Sequence, residues 1–311
     1  MRITVLKGGP SAEREVSEKS GAAVASALRR AVHTVVEMDP TEETVRTLTA
    51  ADQDVVFIVL HGPFGEDGTV QAILEEADVV YTGSDAAASR IAMDKVLAKT
   101  QFVQAHVFTP DSAVIRRDDV AAGRTAARLL GLPVVIKPAC QGSTIGVGLI
   151  RTETDWEPAL ERAFAYGDTL LAEQFIDGRE LTVGFLGNQA LPVIEIRTPG
   201  KWYDYDAKYE RDDTEYLVDA ETGLPPGTLK AVQEMARRAF VALGCRDFGR
   251  VDLMLDVWQR PFVLEVNTIP GFTDHSLVPK AAAAAGIAFE DLCDTIANFA
   301  LRRRGEQGAA A

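Results

Sequence analysis

The chain has 311 residues, more than one hydrophobic core usually serves, so two or three domains are expected. With 47% hydrophobic residues, 25% charged residues and a formal net charge of −14, it reads as a soluble globular protein. That charge excludes nucleic acid or an anionic membrane as a bulk partner, but not a small anion held by a few local lysines and arginines.

No apolar run approaches the roughly 20 residues of a membrane helix. The stretch Met1 to Leu6 is too short for the core of a signal peptide. Cys140, Cys245 and Cys293 are odd in number and widely spaced, which suggests neither a disulfide framework nor a zinc site. A cytoplasmic protein is expected.

In chain order, Ile3 to Leu6 reads as a buried strand, Gly8-Gly9-Pro10-Ser11 as a tight loop, and the next segment as a helix to about Arg30. Thr34 to Met38 is a second strand. Val55 to Leu60 is a third, a continuous apolar run of the parallel-sheet kind. The glycine-rich loop His61 to Gly68 precedes a helix over Thr69 to Glu76. This alternation predicts an α/β unit whose ligands bind beyond the carboxyl ends of its strands. A helix after Asp85, carrying Met93-Asp94-Lys95, opens a second domain with strands at Val134 to Lys137 and Thr169 to Phe175. A third domain supplies Leu181 to Phe185, the helix Thr228 to Leu243 and a final hairpin. The expected segments are 1–84, 85–177 and 178–311, with a frayed tail after Arg302.

That hairpin is the most telling segment. Val251, Leu253 and Leu255 alternate with Asp252, Met254 and Asp256; Phe262, Leu264 and Val266 alternate with Val263, Glu265 and Asn267. A turn centred on Trp258-Gln259 puts Asp252 opposite Glu265, with Asn267 on the same face. Two carboxylates and a carboxamide suit a hard cation such as Mg²⁺. The plain alternative is an amphipathic hairpin with a solvated polar face.

Other segments are weaker by themselves. Lys137 ends a strand before Gln141-Gly142-Ser143-Thr144-Ile145-Gly146, a glycine and hydroxyl loop able to fold over phosphates, or simply a surface turn. It is not a Walker A loop, and Gly8-Gly9 lacks a dinucleotide fingerprint. Glu173-Gln174-Phe175-Ile176 with Glu180 can present backbone amides to an adenine edge and a carboxylate to ribose hydroxyls, or be an ordinary interdomain strand. Thr198 to Asp213 interleaves Trp202, Tyr203, Tyr205 and Tyr209 with Lys201 and Lys208, as a lid over a polar ligand would; a surface hairpin is the alternative.

Together these motifs resemble the D-alanine–D-alanine ligase family of the ATP-grasp fold. The resemblance rests on Gly8-Gly9-Pro10-Ser11-Ala12-Glu13-Arg14-Glu15-Val16-Ser17, His61 with Gly65-Glu66-Asp67-Gly68, Tyr81-Thr82-Gly83-Ser84 and Met93-Asp94-Lys95. It continues through Lys137-Pro138, Tyr203-Asp204-Tyr205, Ala207-Lys208-Tyr209, Gly249-Arg250-Val251-Asp252 and Glu265-Val266-Asn267-Thr268, and closes on Pro270-Gly271 and His275-Ser276-Leu277-Val278-Pro279. Each is weak alone; the order and spacing are specific.

The resemblance implies an α+β ATP-grasp architecture, with an N-terminal parallel-sheet domain followed by two subdomains that sandwich ATP. It implies Asp252, Glu265 and Asn267 as ligands for Mg²⁺ (two ions, with Mn²⁺ as a substitute), and Lys95, Lys137 and Lys208 as phosphate contacts. Glu173, Phe175, Ile176, Glu180 and Trp202 fall at the nucleoside pocket. Glu13 falls where the first substrate's ammonium is held, with Ser143 and Tyr209 as its hydrogen-bonded partners that latch the lid. His61 falls in the substrate pocket, Arg250 and the Gly271 backbone at the oxyanion site, and Ser276 and Leu277 at the second substrate's carboxylate. The implied reaction joins two D-alanine molecules through an acyl phosphate formed from ATP, in a homodimer serving peptidoglycan synthesis. Gln141, Thr144, Gln174 and Phe272 depart from the family's usual residues; Gln174 puts one adenine-side contact in doubt. The rivals are a D-alanyl-D-lactate or D-serine ligase, another ATP-grasp amino-acid ligase, and a catalytically dead ATP-binding regulator.

Overall fold

The structure, a computed structural model, describes residues 1–142, 144–198, 214–273 and 276–310. Its first layer is a three-stranded parallel sheet in the order β2-β1-β3, built from β1 (Arg2–Leu6), β2 (Thr34–Met38) and β3 (Val55–Ile58). Ile3, Val5 and Leu6 are all buried, as expected for a central parallel strand covered on both faces. Helix α1 (Arg14–Arg30) lies on this sheet through small side chains and Val24 and Leu28. Gly21 is needed there, because a Cβ would come within 2.3 Å of the Lys7 side chain.

A four-stranded antiparallel sheet follows in the order β4-β7-β5-β6: β4 (Ser112–Arg116), β5 (Val134–Pro138), β6 (Gly148–Ile150) and β7 (Thr169–Gln174). Its core centres on the fully buried Trp156. The last sheet has five antiparallel strands, β10-β9-β8-β11-β12: β8 (Gly178–Leu186), β9 (Gln189–Arg197), β10 (Glu215–Val218), β11 (Phe248–Asp256) and β12 (Pro261–Asn267). Helix Pro226–Ala242 packs on it, and Phe185 stacks on Phe240 at 4.6 Å.

Packing crosses the expected segment limits twice. The helices Ala86–Met93 and Lys95–Gln104, read as opening the second domain, bury Ala92, Ala98 and Phe102 in the core of the five-stranded sheet. The C-terminal helix Phe289–Ala310 returns to the first sheet, where Leu292 and Ile296 share a core with Ile3, Val24 and Leu28. The fraying expected after Arg302 is not observed, since the helix runs to Ala310. Arg303 ties it down, donating to both Asp247 oxygens at 2.6 Å and to the Tyr81 carbonyl at 2.8 Å. Among the described residues no helix is long and apolar enough to cross a membrane.

Candidate active site

The glycine-rich loops and the final hairpin converge on two adjoining cavities. The larger, about 800 Å³, is lined by Glu13, His61, Glu66, Arg250, Gly271 and Ser276, with Leu277 and Asn267 also on its wall. The smaller, about 470 Å³, is lined by Lys137, Glu173, Phe175, Ile176, Glu180 and Asp252. Lys95, Gln141 and Glu265 belong to both walls and form the junction. Ser143, Trp202, Lys208 and Tyr209, and the rest of the expected lid, lie outside the described residues.

Strand pairing sets the junction. Asp252 pairs with Glu265 and Arg250 with Asn267, the register read from the sequence. Beyond Asp252 the register shifts, and Leu253 pairs with Val263, so Leu264 is an extra residue on β12. The strict alternation expected for this strand therefore fails. Val263 joins Val266 in the core, while Leu264 turns into the wall of the smaller cavity beside Met254. The bulge supplies that cavity with an apolar surface that alternation would have buried.

Asp252 is held from two sides. Arg250 Nε and Nη2 donate to its Oδ1 and Oδ2, each at 2.8 Å, and Thr182 Oγ1 from the neighbouring strand donates to Oδ1 at 2.6 Å. A carboxylate has about four lone-pair positions, so a position on Oδ2 remains for a cation. Asn267 Oδ1 accepts the Ile269 N–H at 3.1 Å, which fixes the carboxamide. Glu265 Oε2 lies 3.3 Å from Lys95 Nζ. This set of hard oxygens, one carboxylate on each strand and a carboxamide two residues along, fits Mg²⁺ and not a soft metal. Among the described residues no cluster of three His, Cys, Asp or Glu side chains offers a metal site, and this set has two carboxylates beside its carboxamide.

Lys95 owes its position to its predecessor. Asp94 ends one helix and caps the next, accepting the Val96 and Leu97 N–H groups at 2.9 and 3.2 Å. Lys95 then starts the second helix and reaches the Gln141 carbonyl at 2.6 Å. Glu13 likewise sits at the cap position of α1 without a side-chain capping bond, and its carboxylate lines the larger cavity.

His61 is buried, and its Nδ1 lies 2.9 Å from the Ile269 carbonyl. A carbonyl only accepts, so Nδ1 carries the proton and Nε2 is an acceptor. Nε2 has no hydrogen-bond partner among the described residues. Burial, with help from the Arg250 charge, lowers the ring's pKa to about 4 and keeps it neutral. Phe272, where the family commonly has Met, is a core residue packed edge-on against Phe248 at 5.4 Å.

Sequence reasoning missed four contributors. Leu264 required knowledge of the bulge, and Met254, two residues from Asp252 on the same strand face, was given no role. Lys99 stands one helical turn beyond Lys95, and its signal was that spacing. Glu66 was read only as part of a glycine motif. In that motif Gly65 is needed because a Cβ would meet the Leu60 carbonyl oxygen at 2.5 Å, and Asp67 anchors the loop through the Phe64 and Thr69 N–H groups, both at 2.9 Å. Glu66 alone faces the cavity, accepting the Gly62 N–H at 2.6 Å.

Desolvation, reinforced by the nearby Glu13 charge, raises the Glu66 pKa to about 8. An unfolded chain releases this proton near the ordinary glutamate value of 4.5, whereas the folded protein keeps it to about 8. The contribution to stability is therefore greatest at acidic pH and falls as pH rises through that window. Glu66→Gln should gain stability over the parent protein between pH 5 and pH 8.5. Thermal melts of the metal-free proteins would show it as a rising difference in Tm; a flat difference would mean that Glu66 ionises normally.

Comparison with known proteins gives one family. The model described as "D-ala D-ala ligase C-terminus" matches residues 101–298, and "D-ala D-ala ligase N-terminus" matches residues 37–84. The chain is 45% identical to the D-alanine–D-alanine ligase of Syntrophotalea carbinolica over 97% of both chains. It is 44% identical to that of Moorella thermoacetica, covering 97% of this chain and 99% of the relative. Among solved structures it is similar to a D-alanine–D-alanine ligase from Bacillus anthracis complexed with ATP, at 32% identity, TM-score 0.86 and 99% coverage of both chains. It is also similar to the VanG D-Ala:D-Ser ligase from Enterococcus faecalis, at 27% identity and TM-score 0.84, over 96% of this chain and 99% of that one.

Proposed function

Because this chain belongs to the D-alanine–D-alanine ligase family and so joins two molecules of D-alanine with ATP, we propose that its two cavities divide the reaction between them. The smaller cavity takes the nucleotide, with Leu264, Met254, Phe175 and Ile176 against the base and Lys137 and Lys95 toward the phosphates. The larger takes the two alanines. The observation that carries this reading is the junction, where Lys95 and Glu265 line both cavities and adjoin Asp252.

The chemistry requires such a junction. A carboxylate is a poor acyl donor because its leaving group would be oxide. Transfer of the γ-phosphoryl group to the first alanine's carboxylate gives an acyl phosphate, with ADP leaving. The second alanine's amine then attacks the acyl carbon, the C–O bond to phosphate breaks, and phosphate departs with the proton that the amine gives up. Mg²⁺ bound by Asp252, Glu265 and Asn267 would supply charge neutralisation for the polyphosphate. Glu13 holds the first ammonium. Arg250, fixed by Asp252, and the Gly271 N–H stabilise the oxygen on which charge develops. Ser276, at the N-terminus of the helix Leu277–Ala284, and Leu277 receive the second carboxylate. Neutral His61 offers Nε2 as an acceptor to a substrate N–H. Ser143, Tyr209, Trp202 and Lys208 complete the closed site, which must exclude water from the acyl phosphate. Such an enzyme serves peptidoglycan precursor synthesis in the cytoplasm.

A coupled phosphate-release assay with D-Ala, D-Ser, D-lactate and L-Ala as second substrate tests the reading, with products identified by mass spectrometry. D-Ala should be used in preference to each of the others. Preferred incorporation of D-lactate or D-Ser would overturn the assignment.

A further inference from the structure

From the wall of the smaller cavity back to Lys99 runs a buried charge cluster whose shared carboxylate these roles leave unexplained. Glu173, on β7, is 2% exposed, and each of its carboxylate oxygens faces a lysine. Oε2 contacts Lys137 Nζ, and Oε1 lies 2.8 Å from Lys99 Nζ. Lys99 is 5% exposed and also donates to Thr109 Oγ1 and the Pro110 carbonyl, each at 2.7 Å. Two of its donors are thus used in hydrogen bonds, its charge is paired with Glu173, and it lines neither cavity. Lys137 does line the smaller cavity.

The arrangement is costly unless it has a purpose, since three buried ionic groups must be stripped of water. A lone buried carboxylate would hold Lys137 strongly and keep it from an incoming anion. Sharing that carboxylate with a second ammonium weakens its hold on the first. The cluster then carries one net positive charge, and only Lys137 can present it to a ligand.

We propose that Lys99 is a positioning residue for nucleotide binding: by taking one oxygen of Glu173 it frees the Lys137 ammonium to meet the polyphosphate. This rests on the assignment of the smaller cavity to the nucleotide. Glu173 acts on both lysines, and it raises the Lys137 ammonium against that group's burial. The Glu173 carboxyl is lowered where the two lysines overcome its burial, and the Lys99 ammonium is lowered by burial against the opposing pull of Glu173.

Calorimetric binding of ATP and of adenosine to the full-length enzyme tests it. Lys99→Met should weaken ATP by roughly tenfold, within the range of coupling between charges in contact, and leave adenosine unchanged. Lys99→Arg should restore ATP binding. In a Glu173→Gln background, adding Lys99→Met should leave ATP affinity where Glu173→Gln alone puts it, because Lys99 acts only through that carboxylate; this pair also serves if Lys99→Met does not fold. An equal loss of ATP and adenosine, an unchanged ATP affinity, or the same loss in both backgrounds would each overturn the proposal. Separately, Leu264→Trp should block ATP by filling the cavity; undiminished ATP binding by that variant would overturn the nucleotide assignment itself.

Discussion

Glu265→Gln is expected to lower ATP-dependent dipeptide formation by about two to three orders of magnitude, the scale for removing one preorganised group that meets developing charge. The change keeps the side chain's shape and strand pairing with Asp252 but removes one negative charge from the junction of the two cavities. It weakens a hard-cation ligand and takes the counter-charge from Lys95, 3.3 Å away. Phosphate release should recover partly as Mg²⁺ is raised, while circular dichroism stays that of the parent. Near-normal turnover at ordinary Mg²⁺ would make the hairpin a structural element with a polar face and nothing more.

Arg250→Lys should be nearly as damaging to turnover, by about two orders of magnitude, and should also cost stability. Arginine's planar fork engages both oxygens of Asp252 at once, whereas lysine is a point charge that cannot. Asp252 would keep Thr182 but lose its bidentate partner, at a cost of about 1–3 kcal/mol for a buried acceptor left short. Turnover by phosphate release and stability by urea denaturation should therefore fall together. If only stability fell, the oxyanion would be held elsewhere, with the Gly271 N–H the first candidate.

The pairing of Asp252 with Glu265 was legible in the sequence because two runs of strict alternation flank one turn, leaving a single register that buries both apolar sets. The bulge at Leu264 was not, since Val263 and Leu264 are both apolar and either can face the core. Helix Thr69–Glu76 was legible to the residue because Asp67 and Gly68 punctuate its start. The partners of the helices Ala86–Met93 and Lys95–Gln104 were not: Ala92, Ala98 and Phe102 show only that one face is apolar, and the strands they meet come some 80 residues later or more. Lys99 and Glu66 hid for the same reason. A charged residue on a helix or in a glycine-rich loop reads as solvated until the elements that cover it are known.

The core shared by Ile3, Val24 and Leu28 with Leu292 and Ile296 has a bearing on how the chain is made. Domains are generally completed from the N-terminus as they leave the ribosome. Here the earliest strand waits for the latest helix. Until residues 289–310 have been synthesised, the first sheet lacks part of its apolar cover, and its glycine-rich loops hang from an unfinished support. A chain stopped short of that helix would lose more than its tail, because the wall that carries Glu13 and His61 stands on the same core. The substrate cavity is thus assembled only after residues 289–310 have been made, and shorter products of translation would carry no working half of the site.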